Sequence, residues 1–404
     1  MNSEKLFSLC MAVVLFGLGL FLLTGAQNAY AEALEPKWKT GLRFGADGFK
    51  LKLGGRIMND WFFSSADSAL ESDAEEAPVR WEDGTEFRRA RLYLSGVIYN
   101  NFIFKAQYDF AGGDADIKDM YIGLKNVGVS RIMVGHFKEP FGLEELTSSK
   151  YITFMERSLT MEAFAPSRNN GLMITDTAWN KRLVWAIGAF KDVNGYGENY
   201  GDNDFNLTAR IAAAPWKQDK NVFHLGIAYS ARNPNGAAAR FRSRPEAHMA
   251  PARLVDTGSI SSNSVGLLGL ESAVVVGPFS VQGEYVSASV SGADGGPDLG
   301  FSSYYVYASY FITGESRNYK NGVFGRVKPR KDFGPGAGAF EVAVRYSAID
   351  LDDGGVRGGE ETNSTVALNW LLNPNSRVMA NYINADLKDV GTASITQLRF
   401  QVDF

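Results

Sequence analysis

Hydrophobic and polar residues alternate one by one along many short stretches of the chain, which is the period of a β-strand with two different faces. The last stretch shows this most clearly, because Leu398, Phe400, Val402 and Phe404 alternate with Gln397, Arg399, Gln401 and Asp403. The same pattern predicts sixteen strands, at residues 50–63, 85–98, 102–110, 115–125, 130–138, 171–180, 182–192, 204–215, 221–231, 263–276, 278–290, 301–313, 339–349, 362–372, 376–387 and 394–404. After residue 31 no window of about 18 apolar residues occurs, which excludes a bundle of membrane-spanning helices.

An even number of strands, many of them about ten residues long, is typical of a barrel that spans the bacterial outer membrane. The connections alternate between short turns and longer polar loops at 64–84, 139–170, 193–203, 232–262 and 350–361. Such barrels have short periplasmic turns and long external loops, so both termini are expected in the periplasm. The segment 314–338 is long where a short turn is expected, so it either folds back as a plug or extra hairpin or marks an error in the strand count.

A soluble β-sandwich or propeller is the alternative, since alternating strands are common in both. Two features favour a membrane barrel instead. A terminal Phe at the end of an alternating strand is the usual signal for assembly into the bacterial outer membrane. Aromatic residues also recur near the ends of the segments, as interface girdles do: Trp61, Phe63, Trp179, Trp185, Tyr304, Tyr310, Trp370 and Tyr382. We therefore predict an all-β fold, a 16-stranded antiparallel transmembrane β-barrel.

The first 31 residues have the pattern of an export signal. Lys5 precedes an apolar stretch from Leu6 to Leu23, and the sequence Ala-Tyr-Ala at 29–31 has the small-x-small form of a signal-peptidase site. A retained transmembrane anchor is the alternative, because the stretch is long enough to cross a bilayer. We expect cleavage, which leaves residues 32–404 as a single barrel domain in the outer membrane of a Gram-negative bacterium.

The amino-acid composition mainly argues against other classes of protein and of functional site. One Cys and three His argue against a disulfide framework and against a metal site. A formal charge of −4 provides no overall basic surface for nucleic acid. A barrel enzyme needs a nucleophile and a base within reach, and we interpret His136, His224 and His248 as structural or surface residues. No catalytic site, metal, cofactor or nucleic-acid partner is therefore expected.

In a barrel the polar face of each strand lines the lumen. Alternation places there the basic residues Lys50, Lys52, Arg56, Arg89, Arg91, Lys105, Arg131, Arg210, Arg345 and Arg399, together with the carboxylates of Asp60, Asp109, Asp119, Glu284 and Glu341. Ion preference depends on the charges at the constriction, where the field is focused, and not on the total charge. The alternative is that these groups only pair across the wall as a structural network.

The loop 139–170 is the expected constriction loop, since it is the longest insertion in the first half and follows the fifth strand, as the inward-folded loop of sixteen-stranded outer-membrane barrels does. Apolar residues such as Leu143 and Phe154 favour packing against the inner wall. The loop also carries Lys150, Arg157 and Arg168. Arg and Lys bind phosphate-like anions through charge-assisted hydrogen bonds, Arg in two-point fashion.

Several sequence blocks resemble the phosphate-selective porin O/P family: Phe87-Arg88-Arg89-Ala90-Arg91-Leu92, Tyr108-Asp109-Phe110-Ala111, most of the run from Gly135 to Arg168, Thr313-Gly314-Glu315-Ser316-Arg317, Phe324-Gly325-Arg326-Val327-Lys328-Pro329 and Val344-Arg345-Tyr346-Ser347. The resemblance spans nearly the whole mature chain. It implies a trimeric sixteen-stranded porin whose basic constriction conducts phosphate or other anions. By motif it implies that Arg56, Arg88, Arg89 and Lys150 contact the anion, with Arg157 and Arg168 as neighbours, and alternation adds Arg91 to this set.

Two features depart from that expectation. Alternation puts Arg88 on the lipid side if Arg89 is luminal, so both reach the pore only if a bulge or the strand end breaks the alternation. The loop 64–84 is acidic (Glu71, Asp73, Glu75, Glu76, Glu82 and Asp83) and would repel anions at the mouth. The sequence thus predicts a porin for passive diffusion of phosphate, polyphosphate or other small anions, a homotrimer in contact with lipid and lipopolysaccharide. A general or weakly selective porin and a structural barrel with a plugged lumen are the alternatives.

Overall fold

The computed structural model describes residues 36–404 except 39, 73–78, 129, 200–204, 235–237 and 294, so the expected signal peptide, residues 1–31, lies outside the described residues. The described residues form sixteen long strands, each antiparallel to its neighbours: β1 (Phe49–Ala66), β2 (Gly84–Ile98), β3 (Phe102–Asp109), β4 (Asp116–Val127), β5 (Ser130–Lys138), β6 (Arg168–Ala178), β7 (Leu183–Lys191), β8 (Asn206–Gln218), β9 (Asn221–Arg232), β10 (Ile260–Val276), β11 (Phe279–Gly292), β12 (Leu299–Phe311), β13 (Ala339–Asp353), β14 (Val356–Asn373), β15 (Ser376–Leu387) and β16 (Gly391–Asp403). β16 pairs with β1, from Asp403 opposite Arg56 to Ala393 opposite Ala66. The sheet is therefore a closed 16-stranded barrel, as the alternation predicts.

The two faces of the sheet carry opposite kinds of side chain. Ile122 and Val344 face outward and are exposed, whereas Glu284 and Arg399 face inward and are buried. Soluble monomers rarely expose so continuous an apolar belt, but the outer wall of a membrane barrel does. Within the described part of the chain, no helix has the length and apolar character needed to cross a membrane.

The loop between β5 and β6 lies inside the barrel. It contains two short helices, α1 (Leu143–Leu146) and α2 (Leu159–Phe164). Apolar residues of the loop, Phe154 and Leu159 among them, are buried in one cluster with Val286 of β11 and Tyr307 of β12. The inward folding of this loop, expected from its apolar content, is confirmed.

The connection between β12 and β13 is a second luminal insertion. It forms a small hairpin in which Asn318–Lys320 pairs with Val323–Gly325. Tyr319 and Phe324 of this hairpin are buried against Leu143 of α1 and Val222 of β9. Of the two explanations for the long segment 314–338, the extra hairpin is therefore correct, and the strand count stands.

Several expected strand boundaries differ from the structure by three residues or more, and two of these differences change the description of the loops. The loop expected at 350–361 is mostly strand, because β13 and β14 continue to Asp353 and Val356 and pair there. These ends carry charged residues and glycine instead of an apolar outer face, so alternation fails to mark them as strand. β6 begins at Arg168 and not at 171, which places Arg168 on the wall and not in the constriction loop.

Candidate functional site

A cavity of about 600 Å³ lies between the inward loop and the wall formed by β1 to β6. Nine basic residues line it: Arg56, Arg88, Arg89, Arg91, Lys105, Lys118, Lys138, Arg157 and Arg168. Among the described residues, two carboxylate side chains line it, those of Asp119 and Glu145. A cleft with such an excess of one charge concentrates ions of the opposite sign, because its low-dielectric walls focus the field.

A β-bulge turns two consecutive arginines towards the lumen. Arg89 lies opposite Met58 of β1 and Phe87 lies opposite Asn59, so Arg88 is the extra residue without a partner in the ladder. Nε and Nη2 of Arg88 donate to the two carboxylate oxygens of Glu156, at 2.9 Å each. Nη1 of Arg89 lies 4.0 Å from the same carboxylate. The bulge required for both side chains to reach the pore is therefore present.

The arginines around the cavity differ in how fully they are paired. Three form ion pairs with carboxylates at 2.6–2.7 Å: Arg91 with Asp109, Arg157 with Glu145 and Arg168 with Asp119. Nη1 of Arg56 donates instead to the hydroxyl of Ser149 at 2.6 Å, and no carboxylate of the described residues pairs with it. Nε and Nη1 of Arg89 are buried and have no hydrogen-bond partner in the described structure. Buried donors without partners are costly, so Arg89 is the residue with most to gain from an anion.

Glu156 links the loop to two strands of the wall. Its carboxylate accepts hydrogen bonds from Arg88 of β2 and from Nη2 of Arg399 of β16, the latter at 2.6 Å. Arg399 makes a two-point contact with Asp60, at 2.6 and 2.7 Å. Burial would raise the pKa of Glu156, but the opposing charges of Arg88 and Arg399 hold that pKa well below its usual range. Glu156 is therefore a permanent anion at the edge of the cavity.

Glu145 is held in the same way. Burial alone would raise its pKa, yet the nearby charges of Arg157 and Lys138 lower the pKa to about 2. Lys138 and Arg157 lie 2.9 and 2.7 Å from its carboxylate oxygens. The two carboxylates therefore stay ionised at neutral pH and tie the loop to the basic side of the barrel.

Lys150 lies apart from the other six predicted residues. It lines a neighbouring space together with Arg326 and Arg377, and not the 600 Å³ cavity. Its Nζ lies 3.2 Å from Asp403, near the end of β16, and 5.8 Å from the ring centre of Tyr93. The structure thus brings Arg56, Arg88, Arg89, Arg91, Arg157 and Arg168 around one cavity and places Lys150 next to it.

Polar side chains of the far wall hold the backbone of the loop. Asn369 of β14 donates to the carbonyl of Thr153 at 2.8 Å, and Arg377 of β15 donates to that of Ile152 at 2.8 Å. At α1, the carboxylate of Glu284 on β11 accepts the backbone N–H groups of residues 143 and 144, at 2.6 and 2.7 Å. Luminal groups on this side of the barrel therefore position the loop. For these groups, the structure agrees with the alternative that luminal polar residues form a structural network.

The polar cavity residues that the sequence analysis missed include Lys118, Lys138, Glu145 and Ser149. Lys118 precedes Asp119, which alternation places in the lumen, so the same pattern assigns Lys118 to the outer face of its predicted strand. Lys138 and Ser149 stand inside the family-like run from 135 to 168, and that run is the signal that could have identified them. Of the acidic loop 64–84, residues 73–78 lie outside the described residues, and Asp83 accepts the backbone N–H of Ser64 at 3.0 Å.

The histidines have structural partners. His224 is buried between the hydroxyl of Tyr319 and the carboxylate of Glu271, at 2.7 and 3.0 Å. Nδ1 of His248 lies 2.8 Å from Glu86, and His136 contacts the backbone carbonyl of Lys118. Among the described residues, no group of three or more His, Cys, Asp or Glu is arranged to hold a metal ion.

Comparisons with known proteins agree with this architecture. Residues 52–404 match the family described as phosphate-selective porin O and P. The chain is 27% identical to Porin O of Pseudomonas aeruginosa, over 87% of this chain and 88% of that protein. Two solved structures share the fold: the anion-selective porin from Comamonas acidovorans (TM-score 0.56, 13% identity, 88% of this chain and 100% of that one) and a trimer form of OmpT from Vibrio cholerae (TM-score 0.53, 11% identity, 88% and 100%). With a family match over most of its length and a closed barrel of sixteen strands, the chain belongs to the phosphate-selective porin O and P family.

Proposed function

We propose that this outer-membrane barrel is a water-filled channel for passive diffusion of small anions, and that phosphate-like anions bind in passing at the arginines of the cavity. The observation that carries the proposal is the charge of the cavity lining, nine basic residues against two carboxylates. The family description, phosphate-selective, and the anion selectivity named for the Comamonas porin support it.

Within this proposal the residues have different roles. Arg56 and Arg89 make the main contacts with the anion, because neither donates a hydrogen bond to a carboxylate. Arg88, Arg91, Arg157 and Arg168 supply positive potential while remaining paired with the protein's own carboxylates. Lys150 acts at the next position along the path, beside Asp403. No covalent step and no cofactor enters this function, in keeping with a family of channels.

A barrel whose lumen is plugged is the second candidate, and one observation favours it. The constriction loop and the hairpin at 318–325 both occupy the lumen and touch each other, since Tyr319 and Phe324 pack on Leu143. A general porin with weak selectivity is the third. Conductance distinguishes the plugged barrel from a channel, and reversal potential distinguishes a selective from a general channel.

The test is recording from purified protein in a planar bilayer. We expect ion channels whose reversal potential in a KCl gradient indicates anion preference, and chloride current that falls as phosphate is added. Arg89→Ala and Lys150→Ala should each weaken the phosphate block, about tenfold for a lost charge-assisted contact of roughly 1.5 kcal/mol. Lys388→Ala is the matched control, because Lys388 is an exposed residue paired with Glu360 outside the cavity. A cation-selective reversal potential would refute anion selection, and an unaltered block in both mutants would return these residues to a structural role.

We also propose that residues 1–31 are a cleaved signal peptide and that residues 32–404 form one domain. We further propose that three copies assemble, which the trimer form of the Vibrio barrel supports, and that the outer wall contacts lipid and lipopolysaccharide. The mass of the purified protein tests cleavage, and its mass in native detergent micelles tests the trimer.

A further inference from the structure

Glu156 occupies a position that an anionic solute could take on Arg88. Its two oxygens accept from Nε and Nη2, which form one of the two-point faces of that guanidinium. The second N–H of Nη2 and both N–H groups of Nη1 then remain for any other anion. Since Arg binds carboxylates and phosphates in two-point fashion, the protein's own carboxylate takes up one of these contacts of Arg88 and offsets its charge.

The local charge is reduced as well. Arg88, Arg89 and Arg399 meet here, and the carboxylates of Glu156 and Asp60 face them. Three positive charges against two negative ones leave an excess of one. Asp60 contacts Arg399 on the wall, whereas Glu156 comes from the loop and lies next to Arg88 and Arg89, two of the arginines that line the cavity.

From this geometry we propose that Glu156 sets the affinity of the constriction, as a built-in counter-ion that keeps anion binding weak enough for fast release. Conduction requires a site that attracts the ion but also lets it leave. With Glu156 in place, a solute meets Arg89, the remaining N–H groups of Arg88 and the hydrogen-bonded Arg56. Without that charge, it would compete with no anion for Arg88 and would meet twice the excess positive charge of this group. The proposal rests on the proposed function, since it concerns anions that bind in this cavity.

The experiment compares wild-type protein with Glu156→Gln, which keeps the shape of the side chain and removes the charge. Single-channel conductance is measured against phosphate concentration, which gives a half-saturating concentration and a maximum. We expect Glu156→Gln to lower the half-saturating phosphate concentration about tenfold, equivalent to about 1.4 kcal/mol, and to lower the maximum conductance. Glu156→Asp retains the charge and should stay close to wild type in both quantities.

The matched control is Glu162→Gln in the same loop, because Glu162 lies 3.9 Å from Arg244 and outside the cavity lining. It should leave the half-saturating concentration unchanged. An unchanged or raised half-saturating concentration in Glu156→Gln would overturn the proposal. So would equal effects of Gln and Asp, which indicate a structural role. If Glu156→Gln does not assemble, Glu156→Ser removes the same charge, and failure of both to assemble would also assign Glu156 to structure. Wild-type conductance that never saturates with phosphate would instead refute the proposed function.

Discussion

The carboxylate of Glu284 is the attachment point of α1, and its removal gives the sharpest test of how the constriction is held. It accepts the N–H groups of Leu143 and Glu144, at 2.6 and 2.7 Å, and the hydroxyl of Tyr305 donates to it at 2.5 Å. A buried N–H group that loses its acceptor costs about 1–3 kcal/mol. Glu284→Gln keeps one acceptor oxygen and turns an amide N–H₂ towards a backbone N–H. We therefore expect the docked state of the loop to lose about 1–3 kcal/mol, which is roughly a 5- to 150-fold fall in the ratio of docked to undocked loop.

Single-channel recording and limited proteolysis measure this change. The barrel itself should persist, because the sheet ladder does not involve the side chain of residue 284. We expect larger and noisier open-channel currents, and faster trypsin cleavage in the loop at Lys150 or Arg157. Ser280→Ala is the matched control: Ser280 lies on the same strand and face, but its hydroxyl bonds to that of Ser309 on the next strand, at 2.8 Å, and not to the loop in the described structure. Current noise and cleavage rates equal to those of wild type would refute the assignment of Glu284 as the anchor.

Two further predictions concern the loop. Gly142 has a φ of 74°, and a Cβ at this position would lie 2.6 Å from Sδ of Met161. Gly142→Ala should therefore destabilise the docked loop by about 1–3 kcal/mol and raise the noise of the open-channel current. An unchanged noise level would contradict this. Because the pKa of Glu145 is lowered from its ordinary value of 4.5 to about 2, its pairing with Arg157 contributes stability that is fully present at neutral pH and is lost as the pH falls from about 5 to about 2. Open-channel noise at pH 6 should therefore match that at pH 7 and should rise as the pH is lowered from 5 to 3; noise that stays constant over that range would contradict this role of the pair.

Alternation alone was enough to locate the strands, because a barrel wall between lipid and water forces every second side chain to change character. It failed where that constraint ends. Beyond the hydrocarbon layer, Asp352 pairs with Arg357 across a tight turn with no apolar outer face to mark it. At Arg88 a bulge interrupts the alternation. The sequence indicated this bulge only through the expectation that two consecutive arginines both face the lumen.

The candidate site was predictable in its residue types but not in its pairings. Glu156 and Arg399 are 243 residues apart, and Glu284 and Leu143 are 141 apart. No local pattern states which carboxylate neutralises which arginine, since that depends on how the loop lies across the lumen. Lys150 shows the consequence: its loop position suggested the constriction, but its contact with Asp403 places it beside the cavity that the arginines line.

The contacts that hold the loop backbone come from one side of the barrel, and the two arginines proposed to bind the anion lie on the other. Glu284, Asn369 and Arg377, which hold the loop backbone, belong to β11, β14 and β15, whereas Arg56 and Arg89 belong to β1 and β2. We therefore expect channel width and anion affinity to depend on different strands. A change at Glu284 should alter conductance and noise for every ion, and a change at Arg89 should alter the phosphate block while leaving noise as it was. If both substitutions produced the same mixed effect, the loop and the arginines would have to act as one unit, and the separation of roles argued from their positions would be lost.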